Sequence, residues 1–167
     1  MTSRILARAA LLLALTLVFQ SLRLVIPLPP FFTTFIIGSL INACLLIALE
    51  TVGLAAALVI AAVTPVVAYL QQLLPLPVFI PPVAAANAIY ILLTRAGKAW
   101  SWAGAIGLAA VGKTAFLYIT FLWLLSLINL PPRLATGLLF VMSWPQLVTA
   151  VAGGVLAAVV VRRLGRN

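Results

Sequence analysis

The chain has 167 residues, of which 66% are hydrophobic and 7% are charged, and its mean hydropathy is +1.33. A soluble globular domain does not reach these values, so the sequence predicts one all-α polytopic membrane domain over residues 1–167. With no histidine, one acidic residue and one cysteine, the chain lacks the side chains of acid/base, serine-triad and metal-dependent catalysis. We therefore expect no enzymatic activity, no metal site and no cofactor.

Six apolar runs are candidates for helices that cross a membrane, which takes about 17 to 25 residues. The first follows Arg4 and Arg8 as a signal peptide would, but it is long and runs into Arg23 and prolines rather than a cleavage site. The fourth is the shortest, at about three helical turns. The predicted spans are Ile5 to Ile26, Thr33 to Leu49, Leu54 to Leu74, Val83 to Thr94, Trp102 to Leu127 and Leu134 to Val161.

The stretch GLAAVGKT, residues 107–114, matches the phosphate-loop signature G-x-x-x-x-G-K-[ST]. A phosphate loop needs a strand before it, a helix after it and a carboxylate elsewhere to hold Mg²⁺. Here the string lies inside an apolar run without turn residues, and Glu50 is the only acid. The match is therefore interpreted as chance, and the question becomes why Lys113 lies within a span.

Positive charges divide unequally between the two ends of the predicted bundle. One end carries Arg4, Arg8, Arg95, Lys98, Arg162, Arg163 and Arg166, and the other carries Arg23 and Arg133. Because Lys and Arg beside short loops are retained in the cytoplasm, both termini are predicted to be cytoplasmic. The net charge of +9 is then explained by membrane topology and by contact with lipid headgroups. We therefore expect no nucleic-acid partner.

Proline pairs interrupt the three connections predicted to lie outside: PLPP at 27–30, PLP and PP between 75 and 82, and PP at 131–132. Proline fixes φ and cannot continue a helix, so these connections are predicted to be stiff. Two interpretations stay open. They are either helix terminators at the membrane surface or apolar lids over an outward-facing pocket.

Lys113 lies about eleven residues inside its span, or roughly 16 Å, which is too deep for its side chain to reach either surface. An intramembrane charge costs about 3 kcal/mol or more to insert, so a functional role with a specific partner is the default expectation. An anionic ligand is the favoured partner. A pair with Glu50, a hydrogen bond to a helix carbonyl and contact with another subunit are the alternatives.

Other polar side chains are predicted at a similar depth on three further helices, which is the convergence that a small-molecule pocket requires. Each amide taken alone is explained as well by an interhelical hydrogen bond. Pro145 should also kink the sixth helix and free a carbonyl in the region of Val141 or Ser143. The predicted substrate-binding residues are Lys113, Asn42, Asn87, Gln146, Tyr90 and Trp144.

Small residues form stripes on the first and sixth helices, and small residues allow helices to approach closely. Ala7, Ala10 and Ala14 give the first helix one smooth face, which suits a groove presented to another membrane protein. On the sixth helix, Ala150, Gly154 and Ala158 are predicted to pack inside the bundle.

With its six spans, cytoplasmic termini, apolar outer loops and A-x-x-x-A face, the chain resembles the S component, the substrate-binding subunit, of energy-coupling-factor (ECF) vitamin importers. The resemblance covers nearly the whole chain and includes the stretches GSLINACLLIA, PVAAANAIYILL and FVMSWPQLVTAVAGG. It implies a multi-pass protein of the bacterial cell membrane that captures a water-soluble vitamin or related micronutrient outside. It also implies a transmembrane coupling subunit, contacted through Ala10 and Ala14, and two cytoplasmic ATPase subunits.

A structural six-helix subunit of the bacterial cell-shape machinery is the alternative interpretation. Such a subunit resembles S components in size and number of spans but needs no pocket, so its buried polar residues would pair with neighbours. A self-contained secondary transporter is disfavoured, because the sequence shows no inverted repeat and no acidic coupling residues.

Overall fold

The computed structural model describes residues 3–26 and 29–165, and within these ranges it contains helices and no strand. Pro27 and Leu28 of the first proline-rich connection, and Arg166 of the charge tally, lie outside the described residues. The α-helices are α1 (Ser3–Val25), α2 (Pro30–Thr51), α3 (Leu54–Leu70), α4 (Ile80–Gly97), α5 (Trp102–Leu127), α6 (Pro132–Val141) and α7 (Trp144–Leu164), with a 3₁₀ turn at Pro77–Phe79. The predicted all-α class is confirmed.

Five helical segments of the described chain are long and apolar enough to cross a membrane. They are Ser3–Val25, Phe32–Thr51, Pro77–Gly97, Trp102–Leu127 and the combined segment Pro132–Leu164. The remaining one, α3, has 17 residues, or about 26 Å at 1.5 Å per residue. The length of α3 is therefore close to the thickness of the hydrocarbon core, which is about 30 Å. The chain is therefore an all-α, multi-pass membrane protein.

The lengths predicted for the third and fourth spans were wrong. The third helix ends at Leu70, four residues earlier than predicted, and Gln72 follows with φ at 59°. A non-glycine residue in this left-handed region cannot continue a right-handed helix. The fourth helix runs from Ile80 to Gly97 instead of from Val83 to Thr94, so the shortest span is α3 and not α4.

The prolines mainly begin helices rather than end them. Pro30, Pro81 and Pro132 occupy the first turns of α2, α4 and α6. The first N–H groups of a helix have no partner within the helix, so proline costs little there, and its fixed φ suits the conformation. This explains why α4 starts earlier than the sequence pattern indicated.

The predicted kink in the sixth span is present as a break. Helix α6 ends at Val141, Met142 and Ser143 form a turn, and α7 begins at Trp144 with Pro145 in its first turn. No residue of α6 is buried, whereas α7 buries one face. The two halves of this span therefore differ in how tightly they are held by the rest of the bundle.

Helices α2 and α7 form the centre of the bundle and make its most extensive pairing. Gly153 permits it, because a Cβ added there would lie 2.5 Å from Asn42 Cβ and 2.7 Å from the Ser39 carbonyl oxygen. Gly154 faces Ile106 of α5 in the same way, and Ala150 is fully buried. The predicted internal packing of the small residues on α7 is thus confirmed for Ala150 and Gly154, while Ala158 is half-buried.

Apolar side chains fill the bundle on two levels. One cluster centres on Leu45, Leu46 and Ile60, and includes Tyr90. The other lies towards the 3₁₀ turn, where Phe79 and Phe121 are fully buried and stack with ring centroids 4.9 Å apart. The second proline-rich connection is thereby packed onto the bundle, and its 3₁₀ turn contributes Phe79 to the core.

We predict that Gly153→Ala destabilises the fold by about 1–3 kcal/mol, since the added methyl group meets the backbone of α2. Gly107→Ala is the matched control in α5, because nothing lies within 4 Å of a Cβ added there. The control should be neutral or stabilising by up to about 1 kcal/mol, as expected for glycine to alanine in a helix. Denaturant titration in mixed micelles measures both, and equal effects would contradict the close α2–α7 contact.

Candidate binding site

Lys113 lies near the middle of α5 and is 4% exposed. Its Nζ donates hydrogen bonds to Asn42 Oδ1 at 2.6 Å and to Asn87 Oδ1 at 2.9 Å, and lies 5.3 Å from the centre of the Tyr90 ring. Two of its three N–H groups therefore have oxygen acceptors. The two amides and the ring stabilise the ammonium by dipole and cation–π interactions, but all three groups are neutral, so the charge is not cancelled.

A hydrogen-bond network extends from both asparagines to two more helices. Asn42 Nδ2 donates to Thr149 Oγ1 on α7, and Asn87 Nδ2 donates to Thr64 Oγ1 on α3, both at 3.4 Å. Because each amide NH₂ group faces a hydroxyl, each amide oxygen is turned towards Lys113. Residues of five helices thus hold one ammonium group in place.

Glu50 does not neutralise Lys113. Its carboxylate forms an ion pair with Lys98, at the end of the bundle where α2 and α4 finish. Since Glu50 is the only acidic side chain of the chain, the Lys113–Glu50 pair considered from the sequence is wrong. Residues 107–114 lie within the continuous helix α5, so GLAAVGKT has neither the strand nor the loop of a phosphate-binding site.

A partly enclosed cavity of about 160 Å³ lies beside Lys113. Its lining comes from the C-terminal halves of α1 and α3, the N-terminal halves of α2 and α4, α5, and the break between α6 and α7. It therefore belongs to the end of the bundle that carries the proline-rich connections. The polar lining residues are Gln20, Arg23, Thr34, Asn42, Thr64, Asn87, Lys113 and Gln146, and the apolar walls include Ile37, Ile41, Pro65, Leu74, Val83 and Met142.

Four of the six side chains predicted to bind substrate line this cavity: Lys113, Asn42, Asn87 and Gln146. The structure places the other two elsewhere. Tyr90 is fully buried behind the lysine, and its hydroxyl donates to the Ala150 carbonyl at 2.6 Å. Trp144 is 48% exposed and lies in a separate groove between α5, α6 and α7. It points away from the cavity because Gln146, two residues further along, points into it.

Proline explains the position of two cavity residues. Pro145 has no N–H for the Val141 carbonyl, and Gln146 Nε2 donates to that carbonyl at 3.1 Å. Pro65 likewise leaves the Ala61 carbonyl without its helical partner, and the Thr64 hydroxyl donates to it at 3.4 Å. In both helices, a polar side chain beside the proline satisfies the freed carbonyl and faces the cavity.

The sequence reasoning missed Arg23 and Gln20, which both line the cavity from α1. Arg23 was counted only as an outer-surface charge. Gln20 is 3% exposed and donates to the Thr64 carbonyl at 3.2 Å and to Gln71 Oε1 at 3.3 Å. The available signal was their spacing of three residues, which puts them on one face of α1. Thr16, one turn before Gln20, lies on the same face and is also buried.

The charge around the cavity is one-sided. Lys113 and Arg23 both line it, and no acidic residue does. Two cations that line the same cavity repel each other, and neither has a carboxylate beside it in the lining. The arrangement therefore favours an anion in the cavity.

The faces of α1 differ in burial. Thr16 and Gln20 are the buried residues of this helix, whereas Ala7, Ala10 and Ala14 are exposed. The small-residue face predicted to contact a coupling subunit is therefore free of contacts that would bury it within the described chain. It offers a smooth surface from the N-terminal end of α1 to its middle, whereas the cavity is lined by the C-terminal half of this helix.

Comparison with known proteins gives no match: no protein-family model, no curated protein and no solved structure matches the chain. The fold defines an all-α, multi-pass membrane protein with a cationic internal cavity. The resemblance to ECF S components stays a prediction.

We predict that the cavity admits small water-soluble reagents and prefers anions. The lone native cysteine, Cys44, is 2% exposed and does not line the cavity, so the wild-type protein should be unreactive. Met142→Cys in a Cys44→Ala background should react with anionic sulfonatoethyl methanethiosulfonate about tenfold faster than with the cationic trimethylammonium analogue, because of the positive lining. Mass spectrometry of the purified protein follows the reaction. Equal rates for both reagents would contradict a cationic cavity.

Proposed function

We propose that this protein is the substrate-binding S component of an ECF-type importer, and that it captures an anionic vitamin or related micronutrient. The observation that carries the proposal is the buried Lys113 ammonium, held by Asn42 and Asn87 beside a cavity and without a counter-charge. A protein that uses the lysine only for its structure has no need of an adjoining void. A binding protein needs the cation, its rigid support and the space.

The proposed site works by electrostatic complementarity. Lys113 Nζ donates to two oxygen acceptors within the described ranges, and its third N–H is the proposed donor to a carboxylate or similar group of the ligand. The oriented oxygens of Asn42 and Asn87 keep the ammonium in position. The lysine side chain therefore loses little conformational entropy when the ligand binds. The apolar walls contact the rest of the ligand and exclude water, which strengthens the charge interaction.

The proposed orientation has both termini in the cytoplasm and the cavity open to the outside. Support comes from the seven positive charges on the predicted inner side, against two on the other. The cavity is lined from the end of the bundle where α1 and α3 finish, which is the outer end in this orientation. Captured ligand would then be carried inwards with the help of the other subunits of the importer.

The proposed partners are a transmembrane coupling subunit and two cytoplasmic ATPase subunits, in a bacterial cell membrane. The exposed face of Ala7, Ala10 and Ala14 is the surface proposed for the coupling subunit. This division of tasks accounts for a chain whose own phosphate-loop string lies in a helix. The structural cell-shape alternative requires neither a cavity nor an exposed small-residue face, and the cavity beside Lys113 therefore favours the importer.

We predict that Lys113→Met abolishes binding of the natural ligand while the protein stays folded, because methionine fills a similar volume without the charge. Mass spectrometry of small molecules that co-purify with the solubilised protein provides the measurement. An acidic compound should be enriched with the wild-type protein and absent from the variant.

Lys98→Met is the matched control, since Lys98 pairs with Glu50 far from the cavity lining. It should retain the compound. Asn87→Asp should lose it, because a carboxylate beside Lys113 supplies the missing negative charge internally. Retention of the same compound by Lys113→Met would remove the lysine from the binding site.

We predict that the double variant Ala10→Trp and Ala14→Trp leaves ligand binding intact and stops ATP-dependent uptake. The bulky rings obstruct the smooth face of α1, and neither Ala10 nor Ala14 lines the cavity. Ala103→Trp, on an exposed position of α5, serves as control and should transport normally. Uptake of radiolabelled ligand into vesicles with the assembled importer measures the effect, and normal uptake by the double variant would refute the coupling surface.

A further inference from the structure

Arg23 is the second cation of the cavity, and the site described so far leaves it without a function. Its Nε atom is buried and has no hydrogen-bond partner in the described part of the chain. Trp102 Nε1 is the other buried side-chain nitrogen of this kind, and it lies away from the cavity. A buried donor without an acceptor is destabilising, and more so when it belongs to a charged group. Such a cost is recovered when a ligand supplies the acceptor.

Arg23 and Lys113 reach the cavity from different depths. Arg23 is in the last turn of α1, close to the proline-rich end of the bundle, whereas Lys113 is the twelfth residue of the 26-residue helix α5. The guanidinium is therefore at the mouth of the cavity and the ammonium at its floor. The lining also contains neutral polar groups, among them Gln20, Thr64 and Gln146.

One anionic group compensates one of these cations. With a singly charged ligand on Lys113, the arginine would stay unpaired and the occupied cavity would keep a positive charge. A ligand with two anionic groups satisfies both residues, and a guanidinium binds a carboxylate with two parallel hydrogen bonds. No acidic residue in the lining is available to do this instead.

The size of the cavity limits such a ligand. Its volume of about 160 Å³ is below the 300 to 1,000 Å³ of pockets for drug-sized ligands. The apolar walls formed by Ile37, Ile41 and Leu74 suit a short hydrocarbon segment. These constraints describe two anionic groups joined by a short apolar spacer.

We propose that the ligand is a small dianion whose one anionic group binds Lys113 and whose other binds Arg23. This inference rests on the proposed binding function and adds the charge of the ligand and the role of Arg23. Arg23 acts as a binding residue at the mouth of the cavity, and it selects diacids over monoacids of the same length.

Titration of the purified protein with glutarate and with valerate tests the proposal, since both have five carbons and differ by one carboxylate. Binding is measured by calorimetry and by the shift in the thermal unfolding midpoint. Glutarate should bind at least about tenfold more tightly than valerate, a factor that one charge-assisted pair supplies. Arg23→Gln should reduce the affinity for glutarate to that for valerate and leave valerate unchanged.

Arg133→Gln is the matched control, because Arg133 is an exposed arginine from the same end of the bundle that does not line the cavity. It should bind both acids as the wild type does. Lys113→Met should lose both. Equal affinity for the two acids, or an equal loss of both in Arg23→Gln, would overturn the dianion inference while leaving a lysine-dependent anion site.

Two other results would contradict the proposed function itself. They are that neither acid binds, or that binding does not depend on Lys113. The compound that co-purifies with the wild-type protein gives a second, independent readout. Two acidic groups in its structure support the inference, and a single acidic group contradicts it even where the capture function holds.

Discussion

The fold is organised around one positive charge that is buried among the helices, beside a cavity. Lys113 has no carboxylate beside it, and two neutral amides, from α2 and α4, turn their oxygens towards its ammonium. Each amide is oriented in turn by a threonine hydroxyl on a further helix. Five helices must therefore be in register for the lysine to be tolerated, so the packing of the bundle and the properties of the cavity cannot be separated.

Proline and glycine set this geometry through the backbone. Pro65 and Pro145 remove hydrogen bonds from α3 and α7 near the cavity, and neighbouring polar side chains satisfy the carbonyls that are freed. Gly153 lets α7 approach α2 so closely that Thr149 comes within reach of Asn42. A polar interior is thus built in an apolar chain without acidic residues in the bundle core, by means of amides, hydroxyls and main-chain oxygens.

Much of the fold and about half of the cavity could be predicted from the sequence. Hydropathy identified the six spans, and counting residues along each helix put Lys113, Asn42, Asn87 and Gln146 at one depth. Counting gives depth but not direction, which depends on how the helices rotate against each other. For this reason Arg23 was assigned to the surface, Trp144 was grouped with Gln146, and Tyr90 was expected in the pocket. The start of α4 was missed because proline was taken as a terminator where it starts a helix. The end of α3 was missed because the left-handed conformation of Gln72 leaves no mark in the hydropathy pattern.

The tight contact between α2 and α7 also limits how the molecule can change shape. Gly153 approaches the backbone of α2, and a Cβ added to Gly38 would lie 2.9 Å from Thr149 Cγ2, so these helices are in close contact at two levels. Helix α6, with no buried residue, and α1, with two, lie on the flanks and have few such restraints. In the proposed importer, α1 and α6 are therefore the helices expected to move when a ligand enters or leaves, while α2 and α7 stay together.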